Sequence, residues 1–152
     1  MNRYEEVELT NMCMVKTNDP EPRYLVIDRK EEHWPGIVFP GGHVEREEPV
    51  TKSIIREVLE ETGISIINPS ICGLKQFKNA EGRRYIVFLF YASEFKGDIQ
   101  SSSEGEAKWM TMKEIEASKT VNGFYEMLRV FEDKNLNELY YSPNINDEVR
   151  YF

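Results

Sequence analysis

The sequence predicts an α+β fold, an α/β/α sandwich with a central mixed β-sheet flanked by helices. Three observations predict it. Strand-like runs lie on both sides of one glutamate-rich helical segment, a second amphipathic helix follows near the end, and the strands alternate with these helices rather than preceding them. A chain of 152 residues, 40% hydrophobic and 30% charged, can bury one sizeable core and is expected to form one domain over residues 1–152.

In chain order, LTNMCMV (9–15) and RYLVIDR (23–29) read as strands joined by the turn-forming TNDPEP (17–22). WPGIVFPGG (34–42) is a short strand that ends in a sharp turn. From Pro49 to Thr62, Val50, Ile54, Ile55, Val58 and Leu59 recur at helical spacing, and Gly63 stops the helix. ISII (64–67) and ICGLKQF (71–77) return to strand character. RRYIVFLFYASEF (83–95), rich in β-branched and aromatic residues, reads as the strongest strand. KGDIQSSSEGE (96–106) is a polar loop, AKWMTM (107–112) a short strand and KEIEASK (113–119) a short helix. In NGFYEMLRVFEDKN (122–135), Phe124, Leu128 and Phe131 share one helical face. The tail NELYYSPNINDEVRYF is expected to pack on the domain.

A net charge of −8 and a pI near 4.9 argue against non-specific nucleic-acid binding, which needs a basic face. There is no apolar run long enough to span a membrane and no signal-peptide pattern at the start, so a cytoplasmic protein is expected. Cys13 and Cys72, far apart, are expected to be reduced thiols.

The helix from Pro49 carries the chemistry. At about 100° per residue, Glu57, Glu60 and Glu61 fall on one face within a turn. A solvated acidic face is the ordinary meaning of such a pattern. Here the Glu57–Glu61 like-charge pair has no partner on its own face, and a divalent cation with oxygen ligands removes that conflict. Gly41 and Gly42 either make a tight turn or let backbone approach a ligand, with a main-chain carbonyl as a further oxygen donor.

Gly42, five residues, Glu48, seven residues, then Arg56-Glu57-Val58-Leu59-Glu60-Glu61-Thr62-Gly63-Ile64 meets every fixed position of GX5EX7REUXEEXGU, where U is aliphatic. That pattern, over residues 42–64, is the Nudix box, and the chain resembles the Nudix hydrolases. The resemblance implies the Nudix fold and an Mg²⁺- or Mn²⁺-dependent cleavage of a nucleoside diphosphate linked to another group. Carried over by position, Glu57, Glu60 and Glu61 look like metal-binding carboxylates and Gly41 like a carbonyl ligand. Glu57 is the first candidate for general base. Arg56 and Glu48 look like supports that hold the loop to the helix, while Glu45 and Glu47 are assigned to solvent. A further metal carboxylate is expected from SSSEGEAKW, with Glu104 chosen over Glu106 because Glu106 borders the strand.

The whole pattern is most similar to the MutT-type 8-oxo-dGTP diphosphatases. By that likeness Asn122 would read a purine edge, its ordinary role being an N-cap. Arg29 would meet phosphates and Gly42 would lie against the substrate. His43 is a loop histidine or a phosphate contact, and Trp34 a core edge or a stacking platform. Other Nudix substrates (ADP-ribose, a nucleotide sugar, a capped RNA end) and a non-catalytic nucleotide-binding module are the competing expectations. The C-terminal helix and tail span 120–152, and the tail NELYYSPNINDEVRYF is expected to cover the pocket or build a dimer, so a monomer or a homodimer is expected.

Overall fold

The computed structural model describes residues 2–143 and 148–152. Ten strands and three helices follow in the order β1 (Val7–Val15), β2 (Arg23–Arg29), β3 (Gly36–Val38), α1 (Val50–Thr62), β4 (Ser65–Ile67), β5 (Ser70–Lys78), β6 (Arg84–Ala92), β7 (Glu94–Lys96), β8 (Gly105–Thr111), α2 (Met112–Glu116), α3 (Phe124–Glu132), β9 (Glu138–Tyr141) and β10 (Val149–Tyr151). The mixed sheet flanked by helices is the α+β architecture that the sequence predicts. Its main sheet has the order β1-β6-β5-β9-β10, a second sheet β3-β2-β8, and β4 pairs with β7 alone.

In the main sheet β1 runs parallel to β6, and β5 runs antiparallel to it. The register sets Thr10, Val87 and Lys75 side by side across three strands. Because side chains alternate, these three share one face with Met12, Tyr85 and Phe77. Pro40 to Val44 continues the sheet beyond β1: Cys13 N–H donates to the Pro40 carbonyl, Asn11 N–H to that of Gly42, and Val44 N–H to that of Leu9, at 2.9, 2.9 and 3.0 Å.

Helix α1 covers the face that carries Cys13 and Val15, and buries Ile54 and Val58 against Leu25, Ile64 and Phe90. Gly63 adopts φ 79° and its N–H donates to the Leu59 carbonyl, which ends the helix as predicted. Leu59 departs from the expected stripe. It is 46% exposed, since the buried line runs through Ile54, Val58, Glu61 and Thr62. Helix α3 packs Phe124, Met127, Leu128, Val130 and Phe131 into the second cluster, where Phe39 meets Phe124 and Phe131.

Residues 83–95 do not form one strand. The chain breaks at Ser93, and β7 leaves the main sheet to pair antiparallel with β4. Strand propensity continues through the break and carries no record of which partner is being paired. The tail packs on the domain: β9 runs parallel to β5, with Lys75 opposite Leu139, and β10 pairs with β9. Residues 144–147 of that tail lie outside the described residues. Both cysteines are free. Among the described residues no helix is long and apolar enough to cross a membrane.

Candidate active site

A cavity of about 620 Å³ opens between the main sheet, the second sheet and the Gly41–Gly42 turn. One end is acidic and the other aromatic. Glu57, Glu61 and Glu104 line it together with Gly41 and Gly42, while Trp34, Phe77, Tyr85 and Lys75 line it further along the sheet.

The glycine turn is held by a residue that motif reasoning missed. Asn11, buried in the middle of β1, accepts from Gly42 N–H at 2.9 Å and donates to Ser53 Oγ of α1 at 2.7 Å. It thus joins strand, turn and helix at the acidic end. The signal was a polar residue inside the apolar run LTNMCMV. By strand alternation, Pro40 and Gly42 turn their carbonyls to β1, so Gly41 turns its own N–H and C=O the other way. Gly41 N–H accordingly donates to Glu61 Oε2 at 3.3 Å, and its carbonyl faces the same side.

The glycines are required by close approach. A Cβ on Gly41 would lie 2.1 Å from the Asn11 carbonyl oxygen, and one on Gly42 would lie 2.4 Å from the Glu57 carboxyl carbon. The first clash is with backbone and the second with a movable side chain. Gly42→Ala is therefore expected to fold, displace the Glu57 carboxylate and lower turnover by about tenfold or more, with the melting midpoint little changed. Enzyme assay beside thermal melts checks it.

Arg56 organises the rest of the motif. Its Nε and Nη2 donate to the two carboxylate oxygens of Glu48 at 2.7 and 2.9 Å, a bidentate pair. Nη2 also donates to the His43 carbonyl at 3.0 Å, and Nη1 to Glu57 at 2.9 Å and Glu60 at 3.1 Å. The Arg56 hydrogen bonds hold the Glu48 carboxyl below its usual range, and the same pairing raises the guanidinium. Loop 43–48 is thereby tied to α1. Glu45 stays exposed at the edge, 3.8 Å from Arg56, and Glu47 is exposed with φ 61°.

The acidic end is under electrostatic load. Burial pushes the Glu61 carboxyl up to about 8, and the charges of Glu104 and Glu57 add to it, against the Gly41 N–H and Arg29. Burial likewise raises Glu57, offset in part by Arg56. Glu60 stands apart: its side chain is 58% exposed and rests on Arg56 rather than in the cavity wall. Among the described residues no three His, Cys, Asp or Glu groups converge as a metal site. Glu57, Glu61 and Glu104 line one cavity and repel one another, and carboxylate oxygens are the ligand type that Mg²⁺ or Mn²⁺ takes. Glu104 lines the cavity, whereas Glu106 lies 3.7 Å from Lys108.

The remaining predicted residues divide. Arg29 lines the cavity, pairs with Glu31 and lies over the Trp34 ring at 5.5 Å; its Nε is buried without a hydrogen-bond partner among the described residues. Asn122 is exposed and outside the cavity lining. Its carbonyl accepts from Trp34 Nε1 at 2.9 Å, and the N-cap of α3 is Gly123, in the left-handed region at φ 84°. His43 lines the cavity with Nε2 2.8 Å from Glu8.

With this geometry stand the comparisons with known proteins. Residues 9–131 match the NUDIX domain. The chain belongs to the NUDIX domain family. YvcI, an uncharacterized Nudix hydrolase of Bacillus subtilis, is 34% identical over 109 residues, which are 68% of this chain and 66% of that protein. An ADP-ribose pyrophosphatase of Methanocaldococcus jannaschii is 25% identical over 100 residues, 64% of this chain and 59% of its own length. The alignments thus span less than two thirds of either relative's length. Among solved structures, the mutator MutT protein of Bacillus halodurans superposes with a TM-score of 0.74 at 25% identity, covering 95% of this chain and 97% of that one. The NUDIX match ends before β9 and β10, so this hairpin is an addition to the matched span.

Proposed function

We propose that this chain, as a single domain, is a divalent-cation-dependent pyrophosphohydrolase of nucleoside diphosphate derivatives. Its leading substrate is a purine nucleoside triphosphate, of the oxidised kind such as 8-oxo-dGTP, cut to the monophosphate and pyrophosphate. The observation that carries this reading is the cavity itself, with three carboxylates at one end and stacked aromatic rings at the other.

Glu57, Glu61, Glu104 and the Gly41 carbonyl would hold the cation, with Glu60 free to join them from α1 by leaving Arg56. One or more Mg²⁺ or Mn²⁺ ions would neutralise the diphosphate and make water more acidic. Glu57 stands at the turn to take the proton of the attacking water; burial raises its carboxyl and Arg56 offsets part of the rise. Arg56 and Glu48 keep the turn and Glu57 in place. Arg29 lines the same cavity, where its guanidinium would meet phosphate oxygens. The likeness to an ADP-ribose pyrophosphatase supports that dinucleotide-like compound as the second reading.

A nucleotide panel with and without Mg²⁺ tests the proposal, with colorimetric phosphate read after inorganic pyrophosphatase for triphosphates, which release pyrophosphate, and after alkaline phosphatase for ADP-ribose, which releases two phosphomonoesters. Mg²⁺-dependent release from purine triphosphates is expected to exceed that from ADP-ribose. Preference for ADP-ribose would replace the leading substrate, and inactivity on every compound would mark a nucleotide-binding module.

A further inference from the structure

Lys75 is buried in a strand centre where no cation is needed for the fold. It is 9% exposed, on β5, and lines the cavity. Three rings surround its ammonium: Trp34 at 5.7 Å, Phe77 at 5.5 Å and Tyr141 at 5.3 Å. Among the described residues its ammonium donates to the Met127 thioether at 3.7 Å, a weak acceptor. Among the described residues no carboxylate lies within ion-pair distance of it, and burial outweighs the field of Glu126 to hold its pKa down to about 8. At neutral pH this is a caged ammonium with donors left over.

The register fixes where those donors stand. From the Gly41–Gly42 turn, across β1 and β6, to Lys75 on β5 is three strand spacings, about 14 Å. An extended nucleotide with its diphosphate at the carboxylates puts its base there. The surroundings are those of a planar heterocycle: Phe77 and Tyr85 stack at 4.7 Å and Trp34 is pinned by the Asn122 carbonyl. A phosphate would call for several converging donors, whereas one ammonium among rings matches a single carbonyl oxygen.

We propose that Lys75 reads the base of the bound nucleotide through an acceptor oxygen, selecting a 6-oxo purine over a 6-amino purine. This rests on the nucleotide reading given above. Guanine and hypoxanthine present an oxygen at position 6, while adenine presents an amino donor that an ammonium repels. A buried donor left facing another donor is strongly disfavoured, which makes rejection as important as attraction. Tyr141 belongs to the hairpin beyond the NUDIX match, so one wall of this reader lies outside the matched span.

Inosine and adenosine nucleotides differ only at this edge and serve as the probes. Calorimetry with IMP and AMP in Mg²⁺ is expected to give a preference for IMP of roughly 10- to 100-fold. In Lys75→Met the ratio is expected to fall to within about threefold of unity, and in Lys75→Gln to an intermediate value. The methionine variant replaces a desolvated cation with an apolar chain of similar length, so its melting midpoint is expected to be no lower than that of the parent. The kcat/KM ratio of ITP to ATP is expected to move in parallel. A Lys75-dependent IMP preference in a protein that hydrolyses neither triphosphate would support the reader while refuting the catalytic reading. Equal affinity for IMP and AMP in the parent would overturn the proposal, as would a ratio unchanged in Lys75→Met. Equal weakening of both ligands would assign Lys75 to phosphate and overturn it as well.

Discussion

Glu57→Gln is expected to lower Mg²⁺-dependent pyrophosphate release by at least about 10²-fold with the fold intact. The carboxylate lies where turn, helix and cavity meet, beside Gly42 and within 2.9 Å of Arg56 Nη1. Glutamine keeps the volume and an oxygen acceptor for Arg56, so loop 43–48 stays tied to α1. It removes the negative charge that would face the cation and the basicity that would take the water proton. Pyrophosphate release by parent and variant, with circular dichroism melts of both, separates chemistry from folding. Parental turnover in the variant would remove Glu57 from the mechanism.

The second large effect lies in stability against pH. Glu61 is 6% exposed, and its carboxyl in the metal-free protein is raised from 4.5 to about 8. The folded state therefore binds this proton more tightly than the unfolded chain. The associated stability is full below about 4.5 and is lost as pH rises through about 8. At roughly 1.4 kcal/mol per pKa unit, the swing amounts to a few kcal/mol. Lys75, lowered from 10.5 to about 8, works in the opposite sense, gaining stability as pH rises between those values and so above this window. Metal-free protein is expected to melt several degrees higher at pH 6 than at pH 8, and Mg²⁺ or Mn²⁺ to raise the midpoint more at pH 8, where the proton competes less for Glu61. Glu61→Gln is expected to flatten the metal-free dependence. A midpoint that rises from pH 6 to pH 8 in the parent without metal would contradict this account.

The local signals in the sequence were strong where one physical cause dominates. The span of α1 follows from the 3.6-residue recurrence of Ile54 and Val58 and from the left-handed Gly63. The box spacing brings Gly42, Glu48, Arg56 and Glu57 into mutual contact, because each acts through its immediate neighbours. What depends on pairing across the sheets was not legible. The break at Ser93 reflects a change of partner strand, and the Asn11 tie depends on an edge pairing between residues far apart in sequence. Lys75 carries no signal inside ICGLKQF because its burial is set by three strands and by Tyr141 from the tail. Asn122 was placed by analogy at the purine edge, yet its position is governed by the turn at Gly123 and by the Trp34 indole.

The central claim is that the α1 carboxylates and Glu104, beside the glycine turn, exist to hold a divalent cation. Electron paramagnetic resonance of Mn²⁺ added to metal-free protein at pH 7.5 (roughly half a unit below the raised Glu61 value) measures that occupancy directly. The account predicts bound Mn²⁺ in the parent, displaced by excess Mg²⁺, with binding weakened at least about tenfold in Glu61→Gln and in Glu57→Gln. Parental Mn²⁺ affinity retained in both variants would contradict it.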